Sequence, residues 1–200
     1  MNDINTVVFD FSGTLCSQRY FIPLGQPALD AIADLVFGAG SATWAEPWMR
    51  GDLNSRDIAR YLAAHLPFSE QEILAALRGG CANMAFNPDV VDFAAEQRRL
   101  GRKTALVTAN MDIFTDVVVP AHDLDAMFDI VLNTADFGVL DKGVLWRHAF
   151  DTFGPGYGYG SALLIEDSAD AVADFRSRGG AAYQYVDDHA FADWLRDMES

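Results

Sequence analysis

Three strings, far apart in the chain, set acids and a hydroxyl at points where an apolar run stops, and a fourth sets an amine at the start of a helix. Val7-Val8-Phe9 ends in Asp10 and the turn-forming Phe11-Ser12-Gly13-Thr14, Ala105-Leu106-Val107 ends in Thr108, and Leu163-Leu164-Ile165 ends in Glu166-Asp167. Lys142 opens a helical stretch that follows another apolar run, 128–133. Apolar runs this short between turn signals read as buried strands. Ligands of open α/β sheets bind beyond the carboxyl ends of the strands, so in a parallel sheet these residues gather on one edge. An acid at position 10 is then poised to bind a cation or to attack an electrophile. An ordinary strand followed by an Asx-type turn gives the same local string. Together, however, two or three carboxylates, a hydroxyl and one amine suit a hard, oxygen-ligated ion such as Mg²⁺ carrying a phosphate.

These residues must be positioned by a strand-helix alternation that is interrupted once. Between Leu15 and Asn87 several helical stretches follow one another: 28–37 and 55–66 by apolar spacing, and a short helix from Ser69 through Leu77, with Glu72 at capping-box spacing and Gly79-Gly80 as its stop. This run predicts an inserted helical cap, residues 16–86, in which Trp44 and Trp48 read as core packing. From Asn87 the alternation resumes, with helices over 89–100, 112–119, 140–153, 169–177 and 189–198, and strands over 104–108, 128–133, 161–165 and 181–186. Pro120 is expected to end the second of these helices. The glycine-rich segment 154–160 lacks Gly-Lys-Ser/Thr and precedes a strand, so it is a loop and not a phosphate-binding P-loop. The pattern predicts an α/β fold with a parallel sheet covered on both faces.

Composition narrows the partners. A formal net charge of −15 over 200 residues disfavours nucleic acid and anionic membranes, which are bound by clustered Lys and Arg. No run approaches the roughly 18 apolar residues of a spanning helix, and the start, with Asp3 and no basic leader, predicts a cytoplasmic protein. Cys16 and Cys81 have no metal-type spacing. Of the 14 basic residues only Lys103 and Lys142 are lysines, and none precedes Lys103.

Asp10-Phe11-Ser12-Gly13-Thr14, Thr108, Lys142 and Glu166-Asp167 resemble, in order and spacing, the four motifs of the haloacid dehalogenase-like (HAD) hydrolase superfamily. The resemblance spans essentially the whole chain, and the helical insertion looks like that superfamily's alpha-helical cap. It implies a Rossmann-like core, residues 1–15 and 87–200, with the cap over 16–86. It further implies that Asp10 is a nucleophile forming an aspartyl intermediate, with Mg²⁺ held by the Asp10 carboxylate, the Ser12 carbonyl and Asp167. Thr108 would donate its hydroxyl to a phosphoryl oxygen, and Lys142 would act as a point charge between nucleophile and phosphate. A lysine at a helix N-terminus, where a cation is unfavourable, supports a functional role. Glu166, where relatives often carry Gly or Asp, is either an alternative metal ligand or a neighbour of the ligands. Substrate contacts are expected from Phe11, Thr108, Ala109 and Lys142, with Arg50 of the cap a candidate for an anionic group.

Ser12 departs from the pattern. Phosphatases of this family usually carry a second Asp there, which protonates the leaving alkoxide; a serine hydroxyl cannot, because a general acid needs a pKa near the working pH. The enzyme would then take substrates with good leaving groups, such as acyl or aryl phosphates, or draw an acid from the cap or substrate, or bind phosphate without turnover. Phosphonate hydrolysis by relatives uses a cap lysine, and this cap has none. Dehalogenating relatives carry a bulky aromatic at position 12 and need no metal ligand at Asp167. The expected function is Mg²⁺-dependent hydrolysis of small phosphorylated metabolites. A non-catalytic phosphate-binding or regulatory module is the competing class, 2-haloacid dehalogenation ranks lower, and the apolar cap helices offer a surface for a homodimer.

Overall fold

The computed structural model describes residues 3–38 and 44–199; positions 39–43 of the expected cap lie outside that set. Five strands, β1 (Thr6–Phe9), β2 (Lys103–Thr108), β3 (Ile130–Asn133), β4 (Ala162–Glu166) and β5 (Ala181–Gln184), form one sheet in the order β3-β2-β1-β4-β5. Every pairing is parallel. Phe9 of the central strand is level with Leu106 on one side and Ile165 on the other. The ladder runs one residue further, the Asp10 N–H donating to the Ile165 carbonyl at 2.9 Å. The chain steps outward from β1 to β2 and β3, then returns to β4 and β5, so the strand order reverses between β1 and β4. At such a switch point a doubly wound sheet opens a ligand crevice at its carboxyl edge.

Val7 and Phe9 belong to one apolar face and Val8 to the other, as the two-residue period of a strand requires. The helices between β1 and β2 are α1 (Gln26–Ile32), α2 (Ala45–Met49), α3 (Ser55–Ala63), α4 (Glu70–Ala82) and α5 (Pro88–Arg99). After β2 come α6 (Val119–Ala121) and α7 (Leu124–Met127), after β3 come α8 (Thr134–Phe137) and α9 (Lys142–Phe153), and α10 (Ala169–Ser177) and α11 (Asp188–Glu199) complete the chain. On the Val8 face, α9 and α10 bury Leu145, Trp146, Phe150 and Phe175. On the Phe9 face, Phe93 of α5 and Phe191 of α11 join an apolar core that continues unbroken into Trp48, Ile58, Leu62, Ile73 and Leu77 of α2 to α4. The short amphipathic helices after β1 therefore share that face's core instead of closing over one of their own. Trp48 is fully buried, as core packing requires, and Trp44 stacks on Tyr61 with centroids 3.8 Å apart.

Local chemistry sets most boundaries. Asn54 and Ser69 cap α3 and α4 with full capping boxes, closed by Asp57 and Glu72, and Asn87 caps α5 ahead of Pro88. Three expectations fail. Gly79-Gly80 does not stop α4, which runs on to Ala82: Gly80 instead admits the Tyr20 carbonyl, which an added Cβ would meet at 1.8 Å. α3 ends at Ala63, three residues short of Leu66. Pro120 does not end its helix, which is wound as a π-turn over Phe114–Val118 and continues through α6 with the proline in the first turn of that segment. Among the described residues no helix is long and apolar enough to cross a membrane.

Candidate active site

β1 delivers Asp10 to the carboxyl edge of the sheet with only 3% of the residue exposed. Lys142, at the first position of α9, reaches it: Nζ lies 2.7 Å from Asp10 Oδ1 and 2.8 Å from Glu166 Oε2. The other Glu166 oxygen accepts the Ser168 N–H at 3.1 Å. Asp141 caps α9 by accepting the Gly143 N–H at 2.7 Å, which fixes where the lysine leaves the helix. Burial pushes the Asp10 carboxyl above its usual range, Lys142 pulls it down, and Asp167 adds to the rise. Burial and then the Asp10 charge push Glu166 up to about 7 against the pull of Lys142. Burial works against the Lys142 ammonium, but the two carboxylates outweigh it and hold its pKa above the ordinary lysine range. A cation at a helix N-terminus thus remains charged because two acids hold it there.

Asp167 is exposed, and its carboxylate has no hydrogen bond or ion pair to any described residue. One oxygen each from Asp10, Glu166 and Asp167 lies within 4.8 Å of the others. Gly13 makes this approach possible: at φ +83° an added Cβ would stand 2.3 Å from Asp167 Oδ2. Three converging carboxylates, one of them open, match the donor set of a hard divalent cation. The Ser12 carbonyl accepts no hydrogen bond from any described residue either.

Thr108 ends β2 with no exposed surface, and its Oγ1 has no hydrogen-bond partner among the described residues. Buried polar atoms are normally paired, and Thr14 Oγ1 is left in the same state; Thr108 itself is not among the residues lining the cavity that its neighbour Ala109 reaches. Ala109 lines a cavity of about 440 Å³ with Asp10, Ser12, Lys142, Glu166 and Asp167. Ser12 is exposed at the edge of this cavity, its Oγ accepting from Asn110 Nδ2 at 3.3 Å and lying 3.4 Å from the Tyr20 hydroxyl. Tyr20 in turn donates to Asn110 Oδ1 at 2.9 Å, and burial pushes its phenol well above the usual range. The Phe11 ring is buried against Phe86 and Phe114, with centroids 5.6 and 4.8 Å away, and Phe11 is not among the residues lining the cavity. Arg50 is not brought to the cavity; it pairs with Asp52 at 2.5 Å.

Sequence reasoning passed over Tyr20, Asn110 and Asp112. Asn110 carried one signal, its place in the turn that ends β2. Tyr20 carried none. Asp112 read as the start of a helix, but it accepts from Trp48 Nε1 at 2.7 Å, the Ser55 N–H at 2.9 Å and Ser55 Oγ at 2.7 Å, tying α2 and α3 to the end of β2.

A doubly wound parallel sheet that presents a lysine-paired aspartate at its switch point defines an α/β protein whose chemistry lies at the carboxyl edge. The chain belongs to the haloacid dehalogenase-like hydrolase family, whose model matches residues 7–157. It is similar in structure to a HAD family enzyme from Bacteroides thetaiotaomicron in complex with magnesium and inorganic phosphate: 13% identity, TM-score 0.66, 92% of this chain and 94% of that one covered. A predicted HAD-like family hydrolase from Porphyromonas gingivalis is 17% identical, with TM-score 0.66 and 90% of each chain covered. The L-2-haloacid dehalogenase from Xanthobacter autotrophicus is 16% identical, with TM-score 0.64, 97% of this chain and 83% of that one covered. At these identities the likeness carries the fold and not the substrate. No curated protein matches the chain in sequence.

Proposed function

We propose that the chain is a Mg²⁺-dependent phosphohydrolase of small phosphorylated molecules, working through an aspartyl-phosphate on Asp10, with residues 16–86 as its helical cap. The observation that carries this reading is the open Asp167 carboxylate converging on Asp10 and Glu166. Asp10, Asp167 and the Ser12 carbonyl would hold the ion, while Glu166, with both oxygens engaged, holds Lys142. Bound there, Mg²⁺ supplies positive charge that offsets repulsion between an anionic nucleophile and an anionic phosphate. Asp10 attacks phosphorus as the ester P–O bond breaks; water then attacks the same phosphorus, releasing phosphate and restoring the carboxylate. Lys142 neutralises charge beside the attacking oxygen, and the Thr108 hydroxyl donates to a phosphoryl oxygen. The magnesium and phosphate bound by the Bacteroides enzyme support the same assignment.

Acetyl phosphate tests this, because its leaving group needs no proton. Mg²⁺-dependent phosphate release, lost by a factor of about 10³ or more in Asp10→Asn, is the expected outcome. Halide release from a 2-haloacid without metal would replace the reading with dehalogenation. Magnesium and phosphate binding without turnover would replace it with a binding module.

A further inference from the structure

A second cavity, of about 380 Å³, adjoins the first and shares Ser12 with it. Its chemistry is the reverse of its neighbour's. Where the first is walled by Asp10, Asp141, Glu166, Asp167 and Asp174, the described lining of the second contains no carboxylate. One side of it is apolar, Cys16 and Phe21 together with Leu29, Ile32 and Phe37 of α1 and the turn that follows it, and the other side carries the polar side chains of Ser12, Ser17, Gln18 and Tyr20. Among its described liners the one charged side chain, Arg19, is more than half exposed and pairs with Asp30 at 3.4 Å.

We propose that this cavity holds the leaving group, and that the substrate is a phosphomonoester of an aromatic alcohol; the proposal rests on the phosphohydrolase reading of Asp10. Two independent features lead to the same class. A sugar or polyol placed against Leu29, Ile32 and Phe37 would lose its water without gaining hydrogen bonds, whereas a ring loses nothing. The volume lies at the small end of ligand pockets, which run from about 300 to 1,000 Å³, and an apolar cavity of about 150 Å³ already accepts benzene. The second feature is Ser12, which stands where the two cavities meet and supplies no acid. A phenol ionises near pH 10, as tyrosine does, so a phenolate departs without the proton an alkoxide requires. In the step, an Asp10 oxygen bonds to phosphorus, the aryl P–O bond breaks, and its electron pair leaves with the phenolate, which takes a proton from water.

The test compares kcat/KM for 1-naphthyl phosphate, glycerol 2-phosphate and acetyl phosphate with Mg²⁺, in the parent and in Phe37→Glu. Phe37 is 45% exposed, so the change is compatible with folding. Naphthyl phosphate should exceed glycerol 2-phosphate by about 100-fold or more, and Phe37→Glu should lower the naphthyl-to-acetyl ratio by about tenfold, the scale of one apolar pocket contact. Equal use of the two esters, or an unchanged ratio in the variant, overturns the proposal while leaving the phosphohydrolase reading intact. Absence of turnover on all three substrates defeats that reading instead, and calorimetry then decides the subsite. Phenylphosphonate binding about tenfold tighter than methylphosphonate supports it, and equal binding refutes it.

Discussion

Glu166 and Lys142 form a buried pair, Oε2 to Nζ 2.8 Å, one residue before an acid that is left exposed and open. Adjacent carboxylates thus have different tasks, since strand side chains alternate in direction as β4 ends. Glu166 positions the lysine against Asp10, and Asp167 stays available.

Glu166→Gln should therefore impair turnover without emptying the site. The amide keeps the shape but removes the charge that shares Lys142 with Asp10, leaving the ammonium bound to the nucleophile alone. Partners of this kind typically cost about 10- to 100-fold in activity when changed. We expect that loss in kcat, with KM moved less than about threefold and partial recovery in Glu166→Asp, measured by steady-state kinetics. A change confined to KM would place Glu166 on the substrate instead.

Asp112→Ala should separate the inserted helices from the sheet. Three donors converge on that carboxylate, one of them the indole N–H of the fully buried Trp48. Hydrogen bonds to a charged acceptor contribute about 1.5–3 kcal/mol each, partly redundant here because two come from Ser55. A loss of about 3 kcal/mol in denaturant unfolding is expected, with a changed Trp48 emission. Asp112→Asn, which keeps one acceptor, should lose less.

Asp10, Thr108 and the Glu166-Asp167 pair were legible because each ends an apolar run, and a parallel sheet turns three such endings into one edge. Lys142 was legible because it defied the helix dipole in a chain that otherwise uses arginine. The Ser12, Tyr20 and Asn110 contacts were not, since Tyr20 lies in an irregular segment with no period and meets a partner 90 positions away. Gly79-Gly80 misled for a related reason: a glycine that ends a helix and a glycine that admits a neighbour look alike in sequence, and only the position of the Tyr20 backbone tells them apart. Arg50 illustrates the opposite error, a charge satisfied two residues away by Asp52 and never offered to the site.

Asp129 gives a pH prediction away from the site. Its Oδ2 accepts the Thr104 N–H at 2.9 Å and Thr104 Oγ1 at 3.1 Å, and Lys103 lies 3.4 Å from Oδ1. Burial raises this carboxyl, but the Thr104 bonds and Lys103 outweigh it and set the folded pKa below the ordinary 3.8. A depressed folded pKa stabilises above the unfolded value, and that stabilisation is lost as pH falls through the folded one. Asp129→Asn should thus be less stable than the parent by about 1–2 kcal/mol at pH 7, with the gap narrowing below about pH 4. Denaturant melts at pH 7 and pH 3 check this; a gap that stays constant would show that shape, and not charge, holds the contact.

The paired glycines of α4 offer a test in which helix propensity is held constant. Alanine is better than glycine in a helix interior by about 1 kcal/mol, so both substitutions gain the same local term. At Gly79 nothing lies within 4 Å of an added Cβ, and the full gain should appear as a higher melting temperature. At Gly80 the same methyl would stand 1.8 Å from the Tyr20 carbonyl oxygen and 2.9 Å from its carbon, a backbone group that no side-chain rotation can move aside. The segment carrying Tyr20 must then retreat from α4, drawing its hydroxyl away from Ser12 and Asn110 and disturbing the apolar cavity that Tyr20 lines. Gly80→Ala should accordingly lose about 2 kcal/mol or more, the usual cost of overpacking, and raise the KM for an aryl phosphate while Gly79→Ala leaves it unchanged. Equal stability in the two variants would mean that the Tyr20 segment yields freely, and that its hydroxyl is not held at Ser12 by this packing.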